Sequence, residues 1–152
     1  MLADRKQAYV MKTHNIFIYG SLMFDRVWDV LIRCAYSKTA ARLYGYRRLC
    51  VKNEDYPGLI EYRHAHVDGV LVCSVMPPDI IVLDRFEGEY YCRKKVKVVS
   101  ANGEEIDAET YVFREEYRGL LTKTEWSLDH FRRHGIDRFV DEYAGFKAGR
   151  AH

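Results

Sequence analysis

Apolar and polar positions alternate along this chain in patterns that change period several times, and each change marks an element. Asn15 to Tyr19 (N-I-F-I-Y) is a short apolar run rich in Ile and aromatics, which predicts a buried strand. It stops at Gly20-Ser21. Phe24, Val27, Trp28 and Leu31 then recur at i, i+3, i+4 and i+7, the stripe of an amphipathic helix. Residues 41–51 alternate as a second strand, and Asp55-Tyr56-Pro57-Gly58 is a turn signal. Leu59 to Tyr62 and Val67 to Val75 predict two further strands.

Met76-Pro77-Pro78 closes that region, and Pro78-Asp79 suits the first turn of a helix. Ile80, Leu83 and Glu87 fall on one side of this helix, Val82 and Phe86 on the adjoining side, and Gly88 stops it. Arg93 to Val99 and Ile106 to Phe113 read as strands joined by a hairpin at Ala101-Asn102-Gly103-Glu104. Thr124 to Tyr143 reads as a final helix that buries Leu128, Phe131, Phe139 and Tyr143, with Gly135 placed to bend or break it. The order strand, helix, strands, short helix, hairpin, helix predicts an α+β fold with a mostly antiparallel sheet compatible with a barrel.

The whole chain has 152 residues, the length of one domain. We expect a loose extension at residues 1–13, a single domain at 14–147 and a tail at 148–152. The net charge is +2, with 24 Lys and Arg against 22 Asp and Glu, so a broad nucleic-acid-binding face is not expected. No run of about 18 apolar residues is present, so no membrane span is expected. The opening residues lack the apolar stretch of a secretory signal. Cys34, Cys50, Cys73 and Cys92 form no C-x-x-C pair and sit in segments read as helix or strand. The expectation is buried free thiols in a cytoplasmic protein. Twelve tyrosines suit a pocket wall or a strand-rich core with polar rims.

Three stretches could carry chemistry. At Tyr19-Gly20-Ser21-Leu22 a strand gives way to a helix, leaving successive backbone N–H groups without ladder partners. Such groups can hold a carboxylate or a developing oxyanion. Taken alone, the same residues equally describe a tight turn with Ser21 as an N-cap. The surroundings are not G-x-S-x-G, and Ser21 has no assignable His/Asp pair, so a nucleophilic serine is not indicated. Glu87 ends a short helix on its apolar side. The negative end of the helix dipole and partial burial would both raise its pKa toward that of a general base, whereas a surface Glu at a frayed end is the plain alternative. Asp84 is assigned a structural, hydrogen-bonded role. Tyr91 could contact a substrate or orient Glu87, or simply pack across strands, as Tyr90 is expected to do. His130 and His134 are spaced for a shared metal, but the intervening Arg132 and Arg133 would repel a cation, and His64 with His66 adds nothing stronger. No metal or other cofactor is expected.

Together, I-F-I-Y-G-S-L at 16–22, Y-P-G-L at 56–59, V-D-G-V at 67–70, L-D-R-F-E-G at 83–88, Y-C-R at 91–93 and Trp126 to Phe131 resemble the γ-glutamylcyclotransferase-like superfamily. The nearest branch is the AIG2-like group, which includes γ-glutamylamine cyclotransferases. The resemblance covers about residues 14–146. Y-G-S-L also occurs in the glutathione-specific ChaC branch, but the L-D-x-F-E-G-x-x-Y-x-R stretch points away from it. The resemblance implies a small, mostly antiparallel six-stranded β-barrel with flanking helices. It also implies cyclisation of a γ-glutamyl amine or γ-glutamyl amino acid to 5-oxoproline, with release of the amine. By position it makes Glu87 the proton acceptor and Tyr19, Gly20, Ser21 and Leu22 the substrate-binding loop. Tyr91 lines the site, and Pro57 and Gly58 form a second loop near it. A small γ-glutamyl substrate is the expected partner, and a monomer the default. The other class of function open at this point is a non-catalytic module that binds an amino-acid-like ligand in the same pocket.

Overall fold

The computed structural model describes residues 12–150, with side chains described over 12–143; the expected extension therefore lies outside the described residues except for Lys12 and Thr13. The strands are β1 (His14–Ile18), β2 (Lys38–Val51), β3 (Pro57–Val75), β4 (Tyr91–Ser100), β5 (Glu105–Phe113) and β6 (Leu121–Glu125). The helices are α1 (Asp25–Leu31), α2 (Pro77–Glu87) and α3 (Ile136–Arg150). The sheet runs β3-β1-β5-β4-β2-β6, and β2 pairs with β3 as well, so the first five of these close into a barrel. Among the described residues only β1 and β5 pair in parallel, with Ile16 opposite Glu109; the other pairings are antiparallel. Closure leaves the five barrel strands without an open edge along their paired lengths.

The sixth strand lies outside that ring. One edge of β2 is shared: β4 pairs with Ala41 and Arg42, while β6 pairs farther along at Leu49 and Val51. The sequence reading assigned Thr124 and Glu125 to the last helix, but they end β6. L-T-K-T-E has too few apolar positions to announce a strand, and its pairing is fixed by the free edge of β2. Helix begins only after Trp126, where the Ser127 hydroxyl accepts the His130 N–H at 3.1 Å. A turn of α-helix at Leu128–His130 leads through a π-helical segment, Phe131–Gly135, into α3. Gly135 marks the departure from α geometry, and an added Cβ there would lie 2.9 Å from the Phe131 ring. The two strands expected at 59–62 and 67–75 are one 19-residue strand, β3. Its register against β2 shifts between Tyr44/His66 and Tyr46/Glu61, and Gly45 takes φ +83° and His64 φ +69° at that bulge.

Two apolar layers explain the run N-I-F-I-Y. Phe17 and Tyr19 point into the barrel with Leu43, Leu59, Leu71 and Val112, whereas Ile16 and Ile18 point out to meet Trp28, Val72 and Leu83 under the helices. A strand covered on both faces reads as continuous rather than alternating. Beside these layers, Trp126, Phe131 and Ile136 form a third cluster with Phe24 and Phe139. The four thiols are free, but the expectation of burial fails. Cys34 lies exposed in the loop after α1, and the other three are half-buried. Among the described residues no helix is long and apolar enough to cross a membrane.

Candidate active site

The local folding of α2 positions Glu87. Prolines at its first turn remove N–H groups that have no intrahelical acceptor. Ile80 and Leu83 are buried, and one further step along that stripe puts Glu87 on the same inward face. Gly88 ends the helix at φ +79°, a region glycine enters freely, and donates its N–H to the Asp84 carbonyl at 3.1 Å. Glu87 is thus half-buried against the cavity wall, reachable from the cavity yet enclosed by protein. Burial, reinforced by the Asp84 carboxylate one turn earlier, pushes its carboxyl up to about 8 from an ordinary 4.5.

A cavity of about 920 Å³ brings Glu87 together with Tyr19, Gly20, Ser21, Leu22, Pro57 and Tyr91. Gly58 is not in this wall: it faces Leu121 and Phe113, which a Cβ at that position would approach to 2.5 and 2.8 Å. The loop after β1 is a 3₁₀ turn, Ser21–Met23, closed by the Met23 N–H on the Gly20 carbonyl at 3.0 Å. Gly20 rather than Ser21 occupies the cap position, and no side chain caps the turn. The N–H groups of Gly20, Ser21 and Leu22 donate to no backbone carbonyl among the described residues. Gly20 is required by contact, since a Cβ would lie 2.9 Å from Pro57 Cγ. Pro57 is held in turn by its carbonyl, which accepts the Tyr91 hydroxyl at 2.6 Å. Tyr19 donates its hydroxyl to the Tyr111 carbonyl at 2.5 Å, and its own carbonyl accepts Arg48 at 2.5 Å. Burial and the Glu87 carboxylate both push the Tyr19 and Tyr91 phenols up, so they stay protonated donors.

Several contributors escaped the sequence reading. Tyr111 donates to Asp84 Oδ1 at 2.6 Å, and Arg93 Nε meets the same carboxylate at 3.0 Å. Arg93 also reaches Glu109 at 2.7 Å, and Glu109 pairs with His14. Asp84 therefore has the structural role expected of it, and it also supplies a negative charge near Glu87. Arg48 stacks over Trp126, 4.9 Å from the ring centroid, while holding the Tyr19 carbonyl. Tyr111 and Arg48 come from β5 and β2 and meet the site only through barrel closure, so sequence spacing carried no signal for them. Tyr90 lies against Phe113 and Tyr117, as its packing role anticipated, and also lines the cavity. The His130 and His134 rings are 4.9 Å apart, and no group of three or more metal-binding side chains occurs among the described residues.

A half-buried glutamate and a loop whose backbone N–H groups donate to no carbonyl line one cavity of a five-stranded barrel, the arrangement of an enzyme of the cyclotransferase type. The chain belongs to the family described as gamma-glutamyl cyclotransferase, AIG2-like, whose model matches residues 16–128. Among curated relatives, Protein AIG2 C of Arabidopsis thaliana is 29% identical over 133 residues, 87% of this chain and 80% of that protein. AIG2-like protein D of the same plant is 28% identical, covering 86% of this chain and 89% of the relative. A solution structure of an Arabidopsis thaliana protein superposes with a TM-score of 0.68 at 26% identity, covering 93% of this chain and 86% of that one. A gamma-glutamyl cyclotransferase shares the fold at a TM-score of 0.60 and 18% identity, covering 72% of this chain and 76% of its own.

Proposed function

We propose that the protein cyclises a γ-glutamyl amide to 5-oxoproline and releases the amine, with Glu87 as general base and then general acid. The observation that carries this reading is the placement of the Glu87 carboxyl, desolvated and facing the same cavity as the Gly20–Leu22 amides. The nucleophile is the substrate's own α-nitrogen, which attacks its γ-carbonyl. The new bond joins the α-nitrogen to the side-chain carbonyl carbon, Cδ, closing a five-membered ring, and the bond that breaks joins Cδ to the amide nitrogen. From ammonium to product the α-nitrogen gives up two protons and the leaving nitrogen gains two, so the amine departs as an ammonium. A single carboxyl can carry these protons in turn, taking each from one nitrogen and delivering it to the other. No enzyme nucleophile is needed, and Ser21 acts through its backbone. In this reading the Gly20–Leu22 amides hold the α-carboxylate or the oxyanion, and confinement of the folded chain supplies proximity.

Incubation with γ-glutamyl alkylamides, with 5-oxoproline and free amine both quantified, tests the reading. Equal molar release of the two supports it. A ligand that raises the Tm and is recovered intact overturns it in favour of binding alone.

The role of Asp84 adds a pH prediction. Its carboxylate disfavours ionisation of Glu87, so Asp84→Asn lets Glu87 ionise at lower pH. The acid limb of the kcat/KM profile is expected to move to lower pH in that variant. The Tm should fall as well, because Arg93 and Tyr111 lose a charged acceptor. A profile that keeps its position would show that Asp84 does not tune the base.

A further inference from the structure

The loop that leads from β1 into the 3₁₀ turn has its carbonyls taken and its amides free. The Gly20 carbonyl accepts the Met23 N–H at 3.0 Å, and the Ser21 carbonyl accepts the Phe24 N–H at 3.1 Å. Both bonds come from the backbone of the turn itself. The Tyr19 carbonyl, one residue earlier, is held instead by a side chain, Arg48 Nη1 at 2.5 Å. A trans peptide group is planar, and its C=O and N–H point in opposite directions. A carbonyl fixed on one side therefore fixes the following N–H on the other. Arg48 thus sets the plane that carries the Gly20 N–H, as Met23 and Phe24 set those of Ser21 and Leu22. Gly20, Ser21 and Leu22 line the cavity, whereas Arg48 does not.

Arg48 is itself well supported. Its guanidinium lies over the buried Trp126, and its backbone carbonyl accepts the Trp126 N–H at 3.1 Å. The indole N–H in turn donates to the Asp55 carbonyl at 2.7 Å, so the guanidinium rests on an anchored ring. Among the described residues Arg48 enters no ion pair. Asp68 is engaged by Arg42 through both carboxylate oxygens, and Glu125 pairs with Arg47. Burial pulls the Arg48 pKa down, yet a guanidinium keeps its proton at any working pH. A cation without an anion of its own, bonded to the back of a free amide, polarises that peptide toward an anion on the far side. We infer that Arg48 is a positioning residue for the reaction: through the Tyr19–Gly20 peptide it orients and polarises the Gly20 N–H toward an anionic group of the substrate, without touching the substrate. This rests on the cyclotransferase reading above and adds to it a residue from β2.

Two measurements test it. The first needs no variant: the ¹⁵N-labelled wild-type protein is titrated with 5-oxoproline. The Gly20 amide and Arg48 guanidinium resonances should shift together along one binding curve, because one peptide joins them. A Gly20 shift with Arg48 unmoved would overturn the inference and leave the cyclotransferase reading standing. The second is kinetic, with γ-glutamyl alkylamides. Arg48→Met keeps an apolar stem over Trp126 but removes the charge and the donor. Its kcat/KM should fall roughly ten- to a hundredfold, less than the loss of an oxyanion-hole donor outright. Arg48→Lys, which restores a cation and a donor, should recover part of that loss. Arg47→Met alters the adjacent arginine, which stacks on Tyr62 and pairs with Glu125, and should stay within about twofold of wild type. A methionine variant at position 48 inside that same margin, a lysine variant no better than methionine, or an equal loss in Arg47→Met would overturn the inference and spare the reading. No shift of either resonance, or no release of 5-oxoproline by the wild type, would refute both.

Discussion

Glu87→Gln is expected to lose 5-oxoproline release by roughly a hundred- to ten-thousandfold, the usual contribution of a positioned acid–base group. Binding of a γ-glutamyl amide should persist. Glutamine keeps the shape and fills the same space at the end of α2, so the variant should fold. Its stability carries a second signature. In the wild type the carboxyl has a folded pKa of about 8 against an ordinary 4.5, so the folded state holds the proton more tightly than the unfolded chain. Wild-type stability is thus full below pH 4.5, declines as pH rises through that value toward 8, and is level above it. Glutamine has no such decline. The Tm of the variant relative to wild type should therefore be higher at pH 9 than at pH 4. Turnover near the wild-type rate would remove Glu87 from the mechanism, and a Tm difference independent of pH would remove the desolvated carboxyl.

The second large effect is on folding. Gly69→Ala should lower stability by about 3 kcal/mol, as overpacking against a rigid neighbour does, and the Tm by roughly 10 °C. A Cβ at residue 69 would sit 2.3 Å from the Ile18 carbonyl oxygen and 2.7 Å from Phe17 Cζ. The first of these is backbone of β1, which pairs with β3 at Phe17↔Leu71 and Ile18↔Val70. Relief would require β1 to move, and β1 leads directly into the Gly20–Leu22 loop. Gly119→Ala is the control: a Cβ there meets nothing within 4 Å, and the Tm should stay within about 1 °C. A thermal melt of both variants decides it, and equal melting points would contradict the packing account.

How much of this was legible in the sequence depends on whether local pattern or closure fixed it. β1, α1, α2 and the β4–β5 hairpin announce themselves, because apolar spacing, Pro78 and Gly88 are local signals. Glu87 was legible for the same reason, being one further step along the Ile80-Leu83 stripe with glycine after it. β6 was not, since its few apolar residues matter only once the edge of β2 exists. The β2–β3 bulge was hidden by R-H-A-H, which interrupts the alternation and made one strand look like two. V-D-G-V was visible as part of a family pattern, but the reason for its glycine appears only when β1 crosses it. The site divides likewise: Tyr19 to Leu22, Pro57 and Tyr91 belong to recognisable stretches, whereas Tyr111 and Arg48 reach it by barrel closure. Gly58, although next to Pro57, turns to the opposite side because successive strand residues face opposite ways.

The most direct measurement is the titration of the Glu87 side-chain carboxyl itself, followed by the ¹³C chemical shift of selectively labelled glutamate, with Glu87→Gln used to assign the resonance. The account predicts a midpoint near pH 8. A midpoint near 4.5, the value of a carboxyl open to water, would contradict it.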